Sequence, residues 1–250
     1  MLLDLALIFI VVVIGSAMQR ISGMGLGLIA GPVLVIIMGP VEGILVVNIL
    51  AFLNAAATTM TVREYVDWRK FTIIASVLIV GSVPAALLVR EVSGDLLQSL
   101  VGGLLLLALA VTTFGKRFIP PVSGTAPAVV AGIAGGFMNT LAGIAGPAIT
   151  VYAQASRWPQ QAFAATLQPI FMVAGLISFL TKVFSGAGDL TQTDWLIWPV
   201  GVLGMALGLW IGVQLSRKVP REQARKLSLI LASAGGVTAL VRGISGMVGA

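Results

Sequence analysis

The stretch "MQRISGMGLGLIAGP", residues 18–32, breaks an otherwise apolar run, with "LLDLALIFIVVVIGSA" before it and "VLVIIMG" after it. It places Gln19, Arg20 and Ser22, with glycines at 23, 25, 27 and 31, where a bilayer is most hostile to them. Irregular backbone at membrane depth survives only where protein or a water-filled cavity satisfies its polar groups. We therefore read 18–32 as a turn inside the membrane, built to meet an anion.

Composition sets the wider frame. The chain has 250 residues, of which 58% are hydrophobic and 10% charged, with a mean hydropathy of +1.06. Soluble domains carry about a quarter charged residues, so an all-α integral membrane protein in contact with the lipid bilayer is expected. There is no Cys and no His. That excludes disulfides and thiolate metal sites, and leaves no side chain with an ordinary pKa near neutrality. The formal charge of +6 reads as an orientation signal and not as nucleic-acid binding, because most basic residues fall in short gaps between apolar runs. The apolar N-terminus lacks a basic n-region and a small-x-small cleavage site, so it reads as a retained membrane segment.

The apolar runs are 2–38, 43–61, 71–89, 96–114, 128–156, 161–181, 195–215 and 228–248. A helix crosses the hydrocarbon in ~20 residues, so six are ordinary spans. The first and fifth are each interrupted near the middle. The chain also aligns with itself. At an offset of 120, Gly15 meets Gly135, Met18 meets Met138, Gln19 meets Asn139, Gly23 meets Gly143 and Asn48 meets Gln168. At an offset of 127, Asp67-Trp68 meets Asp194-Trp195, Gly81 meets Gly208 and Arg90 meets Arg217, which implies a seven-residue insertion around 182–194. Two membrane repeats follow, 1–119 and 120–250, joined at the Pro- and Gly-rich seam 115–127.

Charge orients the halves. Loop 215–227 is strongly basic, whereas its counterpart 89–96 is not; Lys116 and Arg117 mark the seam, against Arg242 alone at the matching C-terminus. Equivalent loops thus face opposite sides. Inverted repeats need an odd number of crossings per half, which holds if runs 2–38 and 128–156 are re-entrant hairpins. Arms 3–18 and 27–38 would be ~24 Å and ~18 Å long, against a ~30 Å hydrocarbon core. That puts the first turn, over 19–26, near the midplane. The second hairpin has arms 128–138 and 146–156. One long broken helix per run is the alternative.

Each break is followed by apolar residues able to form a half-helix, whose N-terminus offers free N–H groups and the positive end of its dipole. Transporters with broken helices use such ends as anion sites. The candidate site is therefore Gln19, Arg20, Ser22, Gly23, Gly25 and Gly27 in the first break, and Asn139, Thr140, Gly143 and Gly146 in the second. Asn48 and Gln168, at equivalent places in the next spans, complete it. Glycine lets a ligand approach the backbone, although close helix packing explains the same glycines. Arg20 is the sharpest residue, because every carboxylate falls near a predicted end or loop. A central Arg costs ~2.5–3.5 kcal/mol even on mild insertion scales, and a bound anion would supply its partner; snorkelling to a surface is the alternative. Asn48 and Gln168 can instead hydrogen-bond across helices. Glycines 201, 204, 208 and 212 serve internal packing or a homodimer equally well.

The Gly-rich turn and proline opening each half ("ISGMGLGLIAGP" and "NTLAGIAGP"), the eight-run layout and the basic loop before the last run resemble the TauE/SafE family of sulfite exporters over essentially the whole chain. That resemblance implies movement of sulfite, sulfonates or related small anions across the cytoplasmic (inner) membrane of a bacterium. An inside-negative potential assists outward anion movement by about 2.3 kcal/mol per charge per 100 mV. Facilitated efflux by alternating access then needs no coupling ion, metal or cofactor. An anion channel using the same helix ends, or an uptake permease for another small organic anion, is the alternative. An enzyme is disfavoured, since no Cys, His or deep carboxylate pair is on offer.

Overall fold

Glycine decides where each long apolar run breaks. In the computed structural model, which describes residues 2–114, 120–189, 191 and 193–249, helix α1 (Leu2–Ser22) continues through Gln19 and Arg20. It stops only at Gly23, whose φ of +87° an L side chain rarely adopts. Helix α2 (Leu26–Met38) turns back, and α3 (Pro40–Val62), α4 (Trp68–Glu91) and α5 (Gly94–Phe114) follow. In the second half α6 (Ala126–Ala142) ends at Gly143, with φ +72°, and α7 (Gly146–Ala155) resumes after two further residues. Helices α8 (Gln160–Phe184), α9 (Ile197–Leu215) and α10 (Arg221–Gly249) complete the described chain, with no strand among the described residues.

Seven of these helices are long and apolar enough to cross a membrane: α1, α3, α4, α5, α8, α9 and α10. The architecture is thus an all-helical, multi-pass membrane protein. Three local differences from the sequence reading have clear causes. The first break is confined to 23–25, because Gln19 and Arg20 fit an α-helix and only Gly23 requires the left-handed region. Helix α1 is consequently ~31 Å long, enough for a crossing by itself. The basic stretch 215–227 is mostly helical: Gln223 and Ala224 donate their N–H groups to Pro220 O, so Arg221, Arg225 and Lys226 ride on α10. Lys182 belongs to the last turn of α8, which runs on into the expected insertion. The seam residues Lys116 and Arg117 lie outside the described residues.

Small residues let the helices touch. Helix α9 lies along α1, where a Cβ on Gly212 would sit 3.0 Å from Ala17 O and one on Gly208 would run into Val13 O. Helix α6 lies along α4 in the same manner, with Gly132 against Ile74 O and Gly136 against Leu78 O. These two pairs exchange with each other under the sequence register, in which α1 matches α6 and α9 matches α4. Helices α3 and α8 cross at Gly175, where a Cβ would lie 2.7 Å from Asn48 O, and α5 meets α10 at Gly102 and Gly243. Gly204, Gly208 and Gly212 therefore face α1 within the chain. Without a hydrophobic drive between helices in lipid, such backbone-close packing is the main cohesive term.

The helix ends form two contrasting surfaces. At one end, Asp67 N–H donates to Thr166 Oγ1, Lys70 lies over the Trp158 ring, and Val122 N–H reaches Ala155 O. Arg63, Arg69, Arg157, Arg217, Lys218, Arg221 and Arg225 all belong to this end. At the other, Asp4, Glu42 and Asp194 share one cavity, and Gly246 packs on Asp95.

Candidate functional site

The two glycine turns meet. A Cβ on Gly27 would run into the carbonyl oxygen of Gly143, so only glycine at 27 permits this approach. A Cβ on Gly25 would likewise lie 2.5 Å from Gln19 N and 2.6 Å from Gly15 O. Between the turns is a cavity of about 30 Å³, lined by Gln19, Gly25, Gly27, Asn139, Gly143 and Gly146, with Met24 and Phe171 at its wall. That volume holds no more than one or two waters, so the turns are closed on each other.

A buried amide pair flanks each turn. Gln19 Nε2 donates to Gln168 Oε1 at 3.2 Å, while Gln19 Oε1 accepts from Leu26 N–H at 3.2 Å and so caps the start of α2. Gln168 Nε2 donates in turn to Gly23 O at 3.1 Å, bracing the turn itself. In the second half, Asn139 Nδ2 donates to Ser178 Oγ at 2.9 Å and to Asn48 Oδ1 at 3.4 Å. Thr140 Oγ1 also donates to Ser178 Oγ, at 2.8 Å. The pairs Gln19–Gln168 and Asn139–Asn48 are the ones that the 120-residue register exchanges.

The start of α7 is different. No side chain caps it, Pro147 contributes no N–H, and Gly146 opens onto the cavity. Its free N–H groups and positive dipole end face the space between the turns. Several buried polar atoms also lack partners among the described residues: Asn48 Nδ2, both amide atoms of Asn54, and Lys182 Nζ. An unsatisfied buried polar group costs about 1–3 kcal/mol, and each such group in a native fold calls for an explanation.

Two wider cavities lie on the basic side of the turns. One, of about 210 Å³, is lined by Gln19, Arg20, Ser22, Gly23 and Gln168, together with Thr58, Val62 and Arg221. The other, of about 310 Å³, carries Arg157 and Arg225 and shares Met24 with the central cavity. Arg20 is half-buried and makes no ion pair among the described residues. It is close to Gly212, near the basic end of α9. Ser22 Oγ lies 2.8 Å from Met18 O and 2.6 Å from Met24 O, and so braces the turn from within.

All twelve residues singled out from the sequence thus fall in one region, in three layers. Gln19, Gly25, Gly27, Asn139, Gly143 and Gly146 line the central cavity. Arg20, Ser22, Gly23 and Gln168 line the neighbouring basic-side cavity, which Gln19 also reaches. Asn48 and Thr140 line neither and are buried behind Asn139. Sequence reasoning missed Lys182, which is 0% exposed. Its signal was available in the α8 spacing Gln168, Phe171, Gly175, Ser178, Lys182, a single helical stripe, but the residue stands at the edge of an apolar run, where a lysine ordinarily snorkels to water.

Comparison with known proteins adds one match. The family model described as "Sulfite exporter TauE/SafE" matches residues 7–239. No curated protein and no solved structure matches the chain.

Proposed function

The chain belongs to the sulfite exporter TauE/SafE family, a family of membrane transporters, and on that premise we propose that it exports a small sulfur-containing anion, sulfite or an organosulfonate, by alternating access. One observation carries the reading: two glycine turns meet at a cavity faced by the bare N-terminus of α7 and by the Gln19 and Asn139 side chains, beside a cationic vestibule. Backbone N–H groups, amide donors and Arg20 are a suitable set for an oxyanion, which has several acceptor oxygens and no donor when fully ionised.

On this reading residues 1–119 and 120–250 are inverted repeats, and the hairpins α1–α2 and α6–α7 enter from opposite faces and meet at their turns. The exchange of the α1–α9 and α4–α6 pairings under the sequence register supports it. On this reading the basic end is cytoplasmic, as the positive-inside rule indicates, the open vestibule faces the cytoplasm, and the membrane is the inner membrane of a bacterium. Arg20, Arg221, Arg157 and Arg225 concentrate anions at that mouth. Outward movement of the anion runs down the membrane potential, so the cycle needs no cofactor, no coupling ion and no bond-making step.

The test is sulfite binding by the purified protein, followed by flux in liposomes under an imposed potential. Saturable binding that Arg20→Gln weakens by about tenfold, the order of one charge-assisted hydrogen bond, is the expected result. Absence of binding to the wild type would sink the reading. Exchange of labelled for unlabelled sulfite distinguishes a carrier from a channel, which shows no such counterflow.

A further inference from the structure

Lys182 lies one turn beyond Ser178 on the α8 stripe that faces the turns. Each earlier member of that stripe is engaged there: Gln168 with Gln19, Phe171 at the central cavity, Gly175 against Asn48 O, and Ser178 with Asn139 and Thr140. A helical side chain leans toward its own N-terminus, which for Lys182 is the direction of Ser178. Its ammonium is wholly enclosed, with no carboxylate or hydrogen-bond partner among the described residues. Asn48 Nδ2, on the helix that α8 crosses, is a second enclosed donor without an acceptor. Two enclosed donors lack acceptors, and one is a lysine that a neighbouring anion would hold in its charged form, so the pair calls for an anion.

The sequence register says where that anion would sit. The open basic-side cavity is lined by Gln19, Arg20, Thr58, Val62 and Gln168. Their counterparts 120 residues away are Asn139, Thr140, Ser178, Lys182 and Asn48, and all five of these are buried. The residues that line the open cavity therefore have buried counterparts toward the acidic end. The cation changes place between the two. Arg20 corresponds to the neutral Thr140, whereas Lys182 corresponds to the apolar Val62. Each of the two matched sets thus holds one cation, supplied from a different wall, and Arg221 adds a second to the open cavity.

We propose that Lys182, with Asn48, Thr140 and Ser178, forms a second anion subsite that opens toward the acidic end and receives the substrate from the Arg20 side. This rests on the inverted-repeat transporter reading above, and it assigns the exit half of the pathway. A cation on each side of the turns lets the anion be passed on without an uncompensated charge at the midplane.

The experiment compares sulfite flux and thermal unfolding of the full chain for wild type, Lys182→Met and Lys182→Arg in proteoliposomes. Removing a purely structural lysine would lower stability. Removing an unpartnered buried charge leaves the unfolding temperature unchanged or raised, while flux falls by about tenfold or more. Lys182→Arg retains flux within about threefold, because the charge persists. Wild-type flux with an equally active Lys182→Met overturns the proposal but leaves the transporter reading intact; no wild-type flux defeats that reading first. Should Lys182→Met fail to fold, the natural lack of cysteine permits a single Ser178→Cys. Labelling by a membrane-impermeant maleimide from the acidic side during turnover of an organosulfonate, which unlike sulfite does not add to the maleimide, is expected, and its absence under turnover overturns the proposal.

Discussion

In both glycine turns an amide residue stands four positions before a positive-φ glycine, Gln19 before Gly23 and Asn139 before Gly143. In each, the backbone carbonyl of that residue accepts the glycine N–H, at 2.9 Å and 2.8 Å. The side chains then diverge. Gln19 is one methylene longer and reaches over its own turn to Leu26 N–H, so it closes the start of α2 as well as binding Gln168. Asn139 is too short for that and turns sideways to Ser178 and Asn48, leaving the α7 N-terminus bare. One turn is thus braced, and the other leads into a helix start that no side chain caps. On the proposed function, a difference of one CH₂ divides two matching turns between support and binding.

Substitutions at the turns can break or sharpen this contrast. The largest effect is expected for Gln19→Leu, which orphans Leu26 N–H and the Gln168 carbonyl and costs about 3 kcal/mol. Asn139→Leu leaves Ser178 still bonded to Thr140, so it costs about half as much in stability while removing anion binding. Denaturant unfolding in detergent, run beside sulfite binding, checks the pair; equal stability losses would erase the distinction between bracing and binding turns.

Gly27→Ala comes next. Its Cβ meets a backbone carbonyl that cannot swing aside, so the turns must separate, at about 2 kcal/mol. Flux measurements should show a larger loss than for Gly31→Ala, whose Cβ would have 3.6 Å to Ala142 O. Gly143→Ala is expected to cost about 1 kcal/mol from its left-handed φ, with Val47 Cγ1 only 3.2 Å from the new methyl. The smallest effect marks the baseline. Lys226→Gln removes an exposed pair with Glu222, 3.3 Å apart at the basic end, and should change stability by no more than about 0.5 kcal/mol.

The helix count and the two breaks were legible because apolar length and glycine placement are local signals. Helix α8 shows where such signals stop. Lys182 stands at the boundary of an apolar run, and hydropathy reads that position as the first residue outside. The helix instead continues to Phe184, and packing encloses the lysine completely. The basic stretch 215–227 misled in the same way, because a charged sequence can be loop or helix and Pro220 starts a helix there. Arg20 was identifiable as a charge without a nearby carboxylate in sequence. Its half-buried place at the vestibule, beside Arg221 and not between the turns, depends on how α1 packs against α9 and where α10 begins.

By itself the sequence determined the membrane class, the twin glycine breaks and the correspondence of Gln19 with Asn139 and of Asn48 with Gln168, since hydropathy and spacing act along the chain. Only the tertiary structure decided which amide pairs with which, that Gly27 packs on the Gly143 carbonyl, and that Lys182 is enclosed. Those facts arise where helices distant in sequence approach within a methyl's width, and no residue records its neighbour across such a contact. The same glycines that make the approach possible are silent about what they approach, because what they contribute is the absence of a side chain.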